Sequence, residues 1–389
     1  MNTGPSRIGV VDALRGFALV AIMLLHNIEH FDLYHTPVGF PPCLVALDKA
    51  VWDSLFFLFA GKAYAIFSLL FGLTFYLQFA RRAQAGEDFR PRFAWRMLLL
   101  LGFGILNSLF YQGDILSIYA VVGLLLIPVA RLNTTAVLAI ATLLMLQPLQ
   151  WIELAAALRQ PGIKMADPAS WAYFAKANVY LAGDSVSAVW LGNLTNGKVA
   201  ALRWSWENGR LFQMLALFMF GMLAGRMGVF AVSAANARFW RRVLAAAVVL
   251  FIPLYALTLG LPGWVASEAV RRPLATMATS WANLAFMLVL VSLFVMLYQR
   301  VNWLSVFAPL GRMSLTSYVM QSVVGTVIYY GFGLGLYQST GATYSLLIGI
   351  VLALLQRQFS AWWLRHHAQG PLEALWHRAT WAGRPLTVP

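Results

Sequence analysis

Ten runs of mostly apolar residues, each about 20 residues long, follow one another along this chain. They lie near 10–30, 51–79, 96–112, 114–131, 134–153, 209–228, 241–261, 276–298, 312–335 and 342–364. In lipid, backbone polar groups need the internal hydrogen bonds that a helix supplies. Of the 389 residues, 60% are hydrophobic and 11% are charged, against about 25% charged in globular proteins. The sequence therefore predicts an all-α polytopic membrane protein with about ten transmembrane helices, and we expect the lipid bilayer as its partner.

Basic residues lie between the apolar runs and indicate the orientation of the chain. Cytoplasmic loops of membrane proteins carry an excess of Lys and Arg. With the amino terminus inside, the basic segments 80–96, 226–242 and 299–312 and the carboxyl-terminal tail all fall on the cytoplasmic side. This distribution accounts for the net charge of +14, so no nucleic-acid partner is expected. Both termini are predicted to be cytoplasmic.

One long segment interrupts the regular alternation of runs and short loops. Loops longer than about 15 residues are usually functional or disordered. The segment at about 154–208 is rich in tryptophan and tyrosine, which argues against disorder. We therefore predict a transmembrane helical domain over 1–364, with this segment as an extracytoplasmic cap of short helices, and a cytoplasmic tail over 365–389.

The first apolar run carries titratable residues at membrane depth. Asp12, Arg15, His26, Glu29 and His30 all lie in or just after this run. A charge at the bilayer centre costs about 2.5–3.5 kcal/mol, so such residues usually face a helix bundle or a wet cavity. Arg15 and His26 fall about 20° apart around a helix and about 16 Å apart along it. The sequence predicts that both line one cavity near opposite ends, with Asp12 touching Arg15 one turn away.

The titratable residues of the first run, which form a polar stripe along one helix face, allow several chemical interpretations. An imidazole with an unperturbed pKa of about 6.5 can take and return a proton near neutral pH, so His26 is the candidate general base, with Glu29 or His30 orienting it. The order H-x-x-E-H also resembles an inverted zinc motif, which would need a third ligand such as Asp32 or His35. Intramembrane charges also build the relays of secondary transporters. A fourth reading places these residues at the interface, in contact with headgroups and water.

Other polar residues are candidates for the same cavity. Lys62 follows Gly61 inside the second run, where a kink or re-entrant turn would direct it into the bundle, although it could also extend to the interface. Asp114 lies at a tight turn, Arg210 opens the sixth run and Gln321 lies in the ninth. We expect Asp114, Arg210 and Gln321 to contribute to substrate binding. The sequence contains no P-loop and no dinucleotide fingerprint, so nucleotide-driven transport is not supported.

Five stretches resemble the YeiB-like family of bacterial membrane proteins, catalogued as domain of unknown function 418. They are DALRGFAL at 12–19, GKAYAIFSLLFG at 61–72, GDIL at 113–116, GRMSLTSY at 311–318 and GPLEALW at 370–376. The first span of that family is similar to that of the transmembrane acyltransferases, which include acyltransferase-3 proteins and heparan glucosaminide acetyltransferases. Acyltransferase-3 proteins carry an Arg, ten residues and a His, the spacing of Arg15 and His26. Many YeiB-like members have Asn in place of His26.

The resemblance implies acyl transfer from acyl-CoA or acetyl-CoA to a hydroxyl or amine of an extracytoplasmic glycan, lipid or small molecule. His26 would act as base, while Arg15, held by Asp12, would meet the donor phosphates, with Lys62 as a further donor-binding candidate. No metal is expected. The resemblance places the chain in a bacterial cytoplasmic (inner) membrane, and a homo-oligomer remains open. The alternatives are a secondary transporter that uses the same polar cavity and a lipid-binding scaffold.

Overall fold

The chain is entirely helical wherever its structure is described. The computed structural model describes residues 8–162 and 164–382, and every regular element in these two ranges is a helix. The last seven residues of the predicted tail lie outside the described residues. The all-α class predicted from the apolar runs is confirmed.

Eighteen α-helices follow one another along the described residues. In the first half they are α1 Gly9–Ile28, α2 Pro42–Phe59, α3 Ala63–Gln84, α4 Arg90–Ser108, α5 Leu116–Leu124, α6 Leu126–Val129, α7 Thr134–Met145, α8 Pro148–Arg159 and α9 Ala169–Leu181. In the second half they are α10 Val186–Gly192, α11 Lys198–Glu207, α12 Arg210–Met227, α13 Ala234–Trp264, α14 Glu268–Tyr298, α15 Ala308–Arg312, α16 Ser314–Tyr329, α17 Ala342–His366 and α18 Pro371–Trp381. A π-helical turn at Asn193–Gly197 joins α10 to α11.

Several of these helices are long and apolar enough to cross a membrane. Over the described residues there are five such candidates, or six if the pair α7 and α8, bent by 41°, forms one span. The five are Gly9–Ile28, Pro42–Gln84, Ala234–Trp264, Glu268–Tyr298 and Ala342–His366. The structure therefore supports a membrane protein, and it leaves the predicted count of about ten spans as a prediction.

Helix α1 is the centre of the bundle. It packs against α2, α3, α14, α15, α16 and α17. At its crossing with α15, a Cβ atom on Gly16 would overlap the carbonyl oxygen of Phe307, and one on Gly311 would overlap that of Asp12. Small residues let membrane helices approach this closely. The same device joins α3 to α12, where Cβ atoms on Gly72 and Gly221 would overlap backbone carbonyls of the opposite helix.

The second apolar run contains the break predicted at Gly61 and Lys62. Helix α2 ends at Phe59 and α3 begins at Ala63, and Gly61 has a φ of 77°, which glycine adopts without strain. The two helices together still form one candidate span. The break places backbone near the carboxyl-terminal end of α1, where a cavity opens.

Two further segments attach to the bundle. Helices α9, α10 and α11 of the predicted cap pack on one another, and Lys198 of α11 reaches the bundle. Helix α18 of the predicted tail packs on α4 and α16, and the Trp376 indole donates to the Arg96 carbonyl at 3.1 Å. The described part of the tail is thus packed against the bundle as one of its helices.

Candidate functional site

Two separate cavities lie beside α1. The first, of about 430 Å³, is lined by Arg15. The second, of about 520 Å³, is lined by His26 and by Glu29. We call them the arginine cavity and the histidine cavity. The expectation that Arg15 and His26 line one shared cavity is therefore wrong.

Packed side chains separate the two cavities. On the stripe of α1 between Arg15 and His26, Leu19 is fully buried. Tyr119, which borders the arginine cavity, is also buried, and its hydroxyl lies 2.6 Å from the Ser68 hydroxyl and donates to the Tyr64 carbonyl at 3.0 Å. Tyr64 in turn borders the histidine cavity. Helical periodicity placed Arg15 and His26 on one face, but distant helices fill the space between them.

Arg15 is held in place at the wall of the arginine cavity. Its guanidinium lies 3.3 Å from the Asp12 carboxylate, donates to the Thr74 hydroxyl at 2.8 Å and approaches the Gly311 carbonyl at 3.5 Å. The contact with Asp12 is the one that their spacing predicts. Three helices thus fix this guanidinium at the cavity wall.

The arginine cavity is strongly cationic. Five guanidinium groups line it, those of Arg15, Arg81, Arg82, Arg96 and Arg312. Among the described residues, Glu373 is the one carboxylate in the lining. That carboxylate is already engaged, because it accepts from the backbone N–H groups of Leu315 and Thr316 at 2.7 and 3.1 Å and caps α16. Arginine clusters of this kind bind phosphate and carboxylate groups.

All five stretches that resemble the YeiB-like family contribute to the lining of the arginine cavity. Their contributions are Arg15, Phe67, Phe71, Leu116, Gly311, Arg312, Ser314, Leu315, Glu373 and Trp376. These residues are up to 361 positions apart in the chain (376 − 15), and the fold brings them to one place. In the sequence, the arginines other than Arg15 indicate only the orientation of the chain in the membrane, because no local pattern shows that they converge.

His26 lies in the wall of the histidine cavity against aromatic rings. Its ring centroid is 4.8 Å from that of Tyr111 and 5.5 Å from that of Phe31. The predicted orienting partners do not reach it. Glu29 instead accepts a hydrogen bond from the Tyr34 hydroxyl at 3.2 Å, and within the described ranges no hydrogen bond to the His26 imidazole is found.

Two carboxyl groups share the histidine cavity. Asp32 accepts from the Tyr111 hydroxyl at 3.4 Å and lines the cavity beside Glu29. Burial, reinforced by the neighbouring carboxylate of Asp32, raises the pKa of Glu29 to about 8. Burial also raises the pKa of Asp32, to about 7. The sequence pattern pointed to Asp32 only as a metal ligand, and it contained no signal for Tyr34 or Tyr111.

A left-handed turn ends α1 and sorts its polar residues. His30, Phe31 and Asp32 have φ values of 47°, 54° and 69°, a conformation that costs about 1–3 kcal/mol per residue. The turn directs Asp32 into the cavity and His30 away from it. The His30 Nε2 atom lies 3.1 Å from the Ser345 hydroxyl and 3.3 Å from that of Thr340. Burial lowers the pKa of His30 to about 4.

The position of His30 corrects its predicted catalytic role, because the structure packs it against α17 and not beside His26. It also separates the two histidines that a zinc site would have needed together. Over residues 8–162 and 164–382, no group of three or more His, Cys, Asp or Glu side chains is placed to hold a metal ion.

Lys62 and Gln321 also lie elsewhere than predicted. The Lys62 ammonium lies 5.9 and 5.7 Å from the ring centroids of Phe57 and Phe286, beside the histidine cavity and not with Arg15. Gln321 donates to the Gln356 side chain at 3.0 Å and borders neither cavity. The tertiary environment makes both of them packing residues of the bundle.

Asp114 has a structural task in place of the predicted substrate contact. Its fully buried carboxylate accepts from the Asn107 amide at 3.0 Å and from the Ser117 N–H and hydroxyl at 3.1 and 3.0 Å. The Lys198 ammonium completes the site at 3.1 Å. Asp114 therefore caps α5 and connects the cap to the bundle, and it borders neither cavity.

Arg210 lines the histidine cavity, and its predicted contact with substrate stays a prediction. Its guanidinium carbon lies 4.3 Å from the ring centroid of Tyr64 and 4.4 Å from that of Trp204. Trp171, Phe174 and Trp204 of the cap complete an aromatic wall. The predicted cap is thus a lining element of this cavity. The break at Gly61 contributes backbone to the same wall.

Comparison with known proteins identifies relatives without an assigned activity. The family described as "Protein of unknown function (DUF418)" matches residues 224–383. The chain is 27% identical to an uncharacterized protein, YxaH, of Bacillus subtilis, over 96% of this chain and 94% of that protein. It is also 27% identical to the uncharacterized protein YeiB of Escherichia coli, over 95% of each chain. No solved structure matches the chain.

Proposed function

This chain belongs to the YeiB-like DUF418 family of proteins of unknown function, and on that premise we propose that it is a multi-pass acyltransferase of a bacterial cytoplasmic membrane. It crosses the membrane about ten times, with both termini in the cytoplasm. It moves an acyl group, preferably acetyl, from a CoA donor to a hydroxyl or amine acceptor on the extracytoplasmic side. The observation that carries the proposal is the pair of cavities at the two ends of α1, one cationic and one with a histidine and two carboxyl groups.

The arginine cavity supplies the donor site. CoA carries several phosphate groups, and five guanidinium groups in one lining offer them fixed donors. The basic residues of this cavity come from segments that the charge distribution assigns to the cytoplasm, where CoA thioesters are made. Of the five arginines of the lining, Arg15 is the one on α1, the helix that also carries His26.

The histidine cavity supplies the acceptor site and the base. The acceptor oxygen or nitrogen attacks the thioester carbonyl carbon, and its proton passes to His26. The C–S bond then breaks, the acyl group stays on the acceptor, and the CoA thiolate takes up the proton. Glu29 and Asp32 line the same cavity as His26 and face the acceptor.

The reaction requires the layer between the cavities to open. Leu19 and Tyr119 are packed there. The thioester therefore reaches His26 only when these side chains move apart, which makes opening of the layer part of the catalytic cycle. Excluding water from the thioester until the acceptor is bound would suppress hydrolysis.

Donor binding is tested by thermal unfolding of the purified protein with CoA or acetyl-CoA. A ligand at 100 times its Kd stabilises the folded protein by about 2.7 kcal/mol, so the melting temperature should rise by several degrees. Arg312→Ala should abolish most of this rise. Arg241→Ala, an exposed residue of α13 far from the lining, is the matched control and should leave it intact. An unchanged melting temperature with either ligand contradicts the donor assignment.

The role of His26 is tested with His26→Ala and His26→Asn. Because the imidazole makes no hydrogen bond among the described residues, we expect both variants to keep their melting temperature within a few degrees. Acyl transfer, followed by mass spectrometry of the acceptor, should fall by about 10²–10⁴-fold, the usual contribution of a general base. Full activity in a folded His26 variant removes this mechanism.

A secondary transporter of an organic anion is the second candidate. Two cavities on opposite sides of a closed layer are also what alternating access requires. A transporter would move a labelled anion across proteoliposomes without forming an acylated product. It would not be stabilised by CoA unless CoA itself were the solute.

A further inference from the structure

Arg210 is a cation in contact with two aromatic rings. The rings of Tyr64 and Trp204 lie 4.3 and 4.4 Å from its guanidinium carbon. The N–H donors of a guanidinium all point outward along its edge, and Arg210 lines the cavity. In the described part of the chain, no hydrogen bond or ion pair to this edge is found. A guanidinium arranged in this way is suited to a bidentate carboxylate or phosphate.

The two carboxyl groups of the cavity, like the Arg210 guanidinium, have no partner of opposite charge among the described residues. Glu29 and Asp32 each accept one hydrogen bond, from the hydroxyls of Tyr34 and Tyr111. Neither forms an ion pair with a described Lys, Arg or His side chain, although both line the cavity that Arg210 lines. Arg210 acts on Glu29 electrostatically across the cavity and not through contact.

The cavity thus holds one guanidinium and two carboxyl groups that form no ion pair with each other. Burial favours the protonated form of both carboxyl groups, and an ammonium group placed between them would favour their ionised form. A protein that needed these groups only for stability would let the guanidinium contact a carboxylate. A left-handed turn of three residues places Asp32 beside Glu29. The backbone of this turn is strained, and the strain serves to position a carboxyl group. A ligand with two opposite charges would satisfy both ends at once.

We propose that the histidine cavity binds a small zwitterion whose ammonium group lies between Glu29 and Asp32 and whose phosphate or carboxylate lies on the edge of Arg210. The rings of Trp171, Phe174 and Phe56 cover its carbon atoms. The cavity of about 520 Å³ accommodates a headgroup or an amino acid. An aminoalkyl phosphate, free or as a lipid headgroup, and an amino acid share this chemistry.

The inference names the acceptor class of the proposed acyl transfer, and in that respect it rests on the proposed function. The bound ammonium first loses one proton to solvent through the two carboxyl groups, which leaves a neutral amine with a lone pair. The amine nitrogen attacks the thioester carbonyl and passes a second proton to His26 as the amide bond forms. The C–S bond breaks, and the CoA thiolate takes up a proton. The binding step itself does not depend on CoA.

Isothermal titration of the full-length protein in detergent tests the binding step. The probes are O-phosphoethanolamine, which carries both charges, ethanolamine, which carries the cation alone, and inorganic phosphate, which carries the anion alone. We expect the zwitterion to bind at least tenfold more tightly than either half. Equal affinity for the zwitterion and for one of its halves would overturn the proposal.

Variants assign the two charges of the ligand. Arg210→Met should weaken O-phosphoethanolamine by at least tenfold and leave ethanolamine unchanged, and Glu29→Gln/Asp32→Asn should weaken ethanolamine and the zwitterion but not phosphate. Arg203→Ala, an exposed cap residue, is the matched control and should bind like the wild type. If Arg210→Met does not fold, the carboxyl double variant carries the test alone. Wild-type affinity in a folded cavity variant contradicts the assignment.

Nanodiscs distinguish the two sources of the zwitterion. If a lipid headgroup is the ligand, phosphatidylethanolamine in a phosphatidylcholine disc should compete with O-phosphoethanolamine, and a free small molecule would meet no such competition.

Failure of the zwitterion site and failure of the proposed acyl transfer can be told apart. Zwitterion binding without any effect of CoA would remove the acyl transfer and keep this site, whereas CoA stabilisation with acylation of an alcohol and no zwitterion binding would remove this inference.

Discussion

At the scale of single residues, the carboxyl group of Glu29 controls how the protein responds to pH. Its pKa is raised from an ordinary value of 4.5 to about 8 in the folded protein. Between these two values the folded chain holds a proton that the unfolded chain has lost. The free energy of unfolding therefore falls as the pH rises from about 4.5 to about 8, and this contribution is fully present only below 4.5.

Glu29→Gln tests this dependence. The amide keeps the shape of the protonated carboxyl group but cannot ionise, so we expect the melting temperature of the variant to fall less than that of the wild type between pH 5.5 and pH 8. The measurement is thermal unfolding in detergent across this range. Asp32→Asn should show an effect in the same direction, since burial also raises the pKa of Asp32. Parallel curves for wild type and Glu29→Gln would contradict the assigned cause.

The same residue scale shows where local sequence rules stop working. The spacing of Asp12 and Arg15 predicts their contact, and the structure contains it at 3.3 Å. The spacing of His26, Glu29 and His30 predicts a cluster in the same way. It fails because α1 ends at Ile28 and a left-handed turn follows, which sends His30 to α17. Helical periodicity holds only as far as the helix, and nothing in the sequence marks this end clearly.

At the scale of elements, glycines determine how closely the helices pack. Gly221 of α12 faces the backbone of Leu69 in α3 so closely that no Cβ atom fits. Gly102 of α4 has no neighbouring atom within 4 Å of a Cβ atom and faces outward. The two positions are therefore a matched pair for one substitution.

Gly221→Ala should destabilise the protein by about 1–3 kcal/mol, because the helices must separate to admit the methyl group. Gly102→Ala should stabilise it by up to about 1 kcal/mol, the difference in helix propensity between the two residues. Thermal or chemical unfolding in detergent measures both. Equal effects of the two substitutions would show that the α3–α12 crossing is less tightly packed than described.

At the scale of the whole molecule, one ion pair connects the cap to the bundle. Asp114 lies at the start of α5, and Lys198, which is 84 positions later, opens α11. The cap carries the aromatic wall of the histidine cavity, so this contact positions the acceptor site relative to α1. Asp114 was predicted to bind substrate, whereas the structure gives it this architectural role.

Lys198→Met should lower the free energy of unfolding by about 3–5 kcal/mol, since it leaves a buried carboxylate without its cation. The double variant Asp114→Asn/Lys198→Met should recover part of that loss, because no unpaired charge remains. The coupling between the two sites is measured with a double-mutant cycle of unfolding free energies. Additive losses in that cycle would exclude a direct ionic contact between cap and bundle.

The sequence alone was sufficient for the class of fold and for the helix that lies at its centre. Apolar runs of membrane length, the break at Gly61 and the polar stripe of α1 are local properties, and local properties follow from helical geometry and the cost of burying charge in lipid. The sequence also placed Arg210 among the site residues because a charge opens the sixth run.

Only the tertiary structure decided that two separate cavities lie beside α1 and which side chains line them. Arg82, Arg96, Arg312 and Glu373 line one cavity because α3, α4, α15 and α18 converge, and no spacing along the chain records that convergence. Leu19 and Tyr119 close the space between Arg15 and His26 because helices far apart in sequence pack there. A periodic pattern determines which residues share a face, whereas a cavity is the volume that several faces leave unfilled, and that volume depends on how all of them pack together.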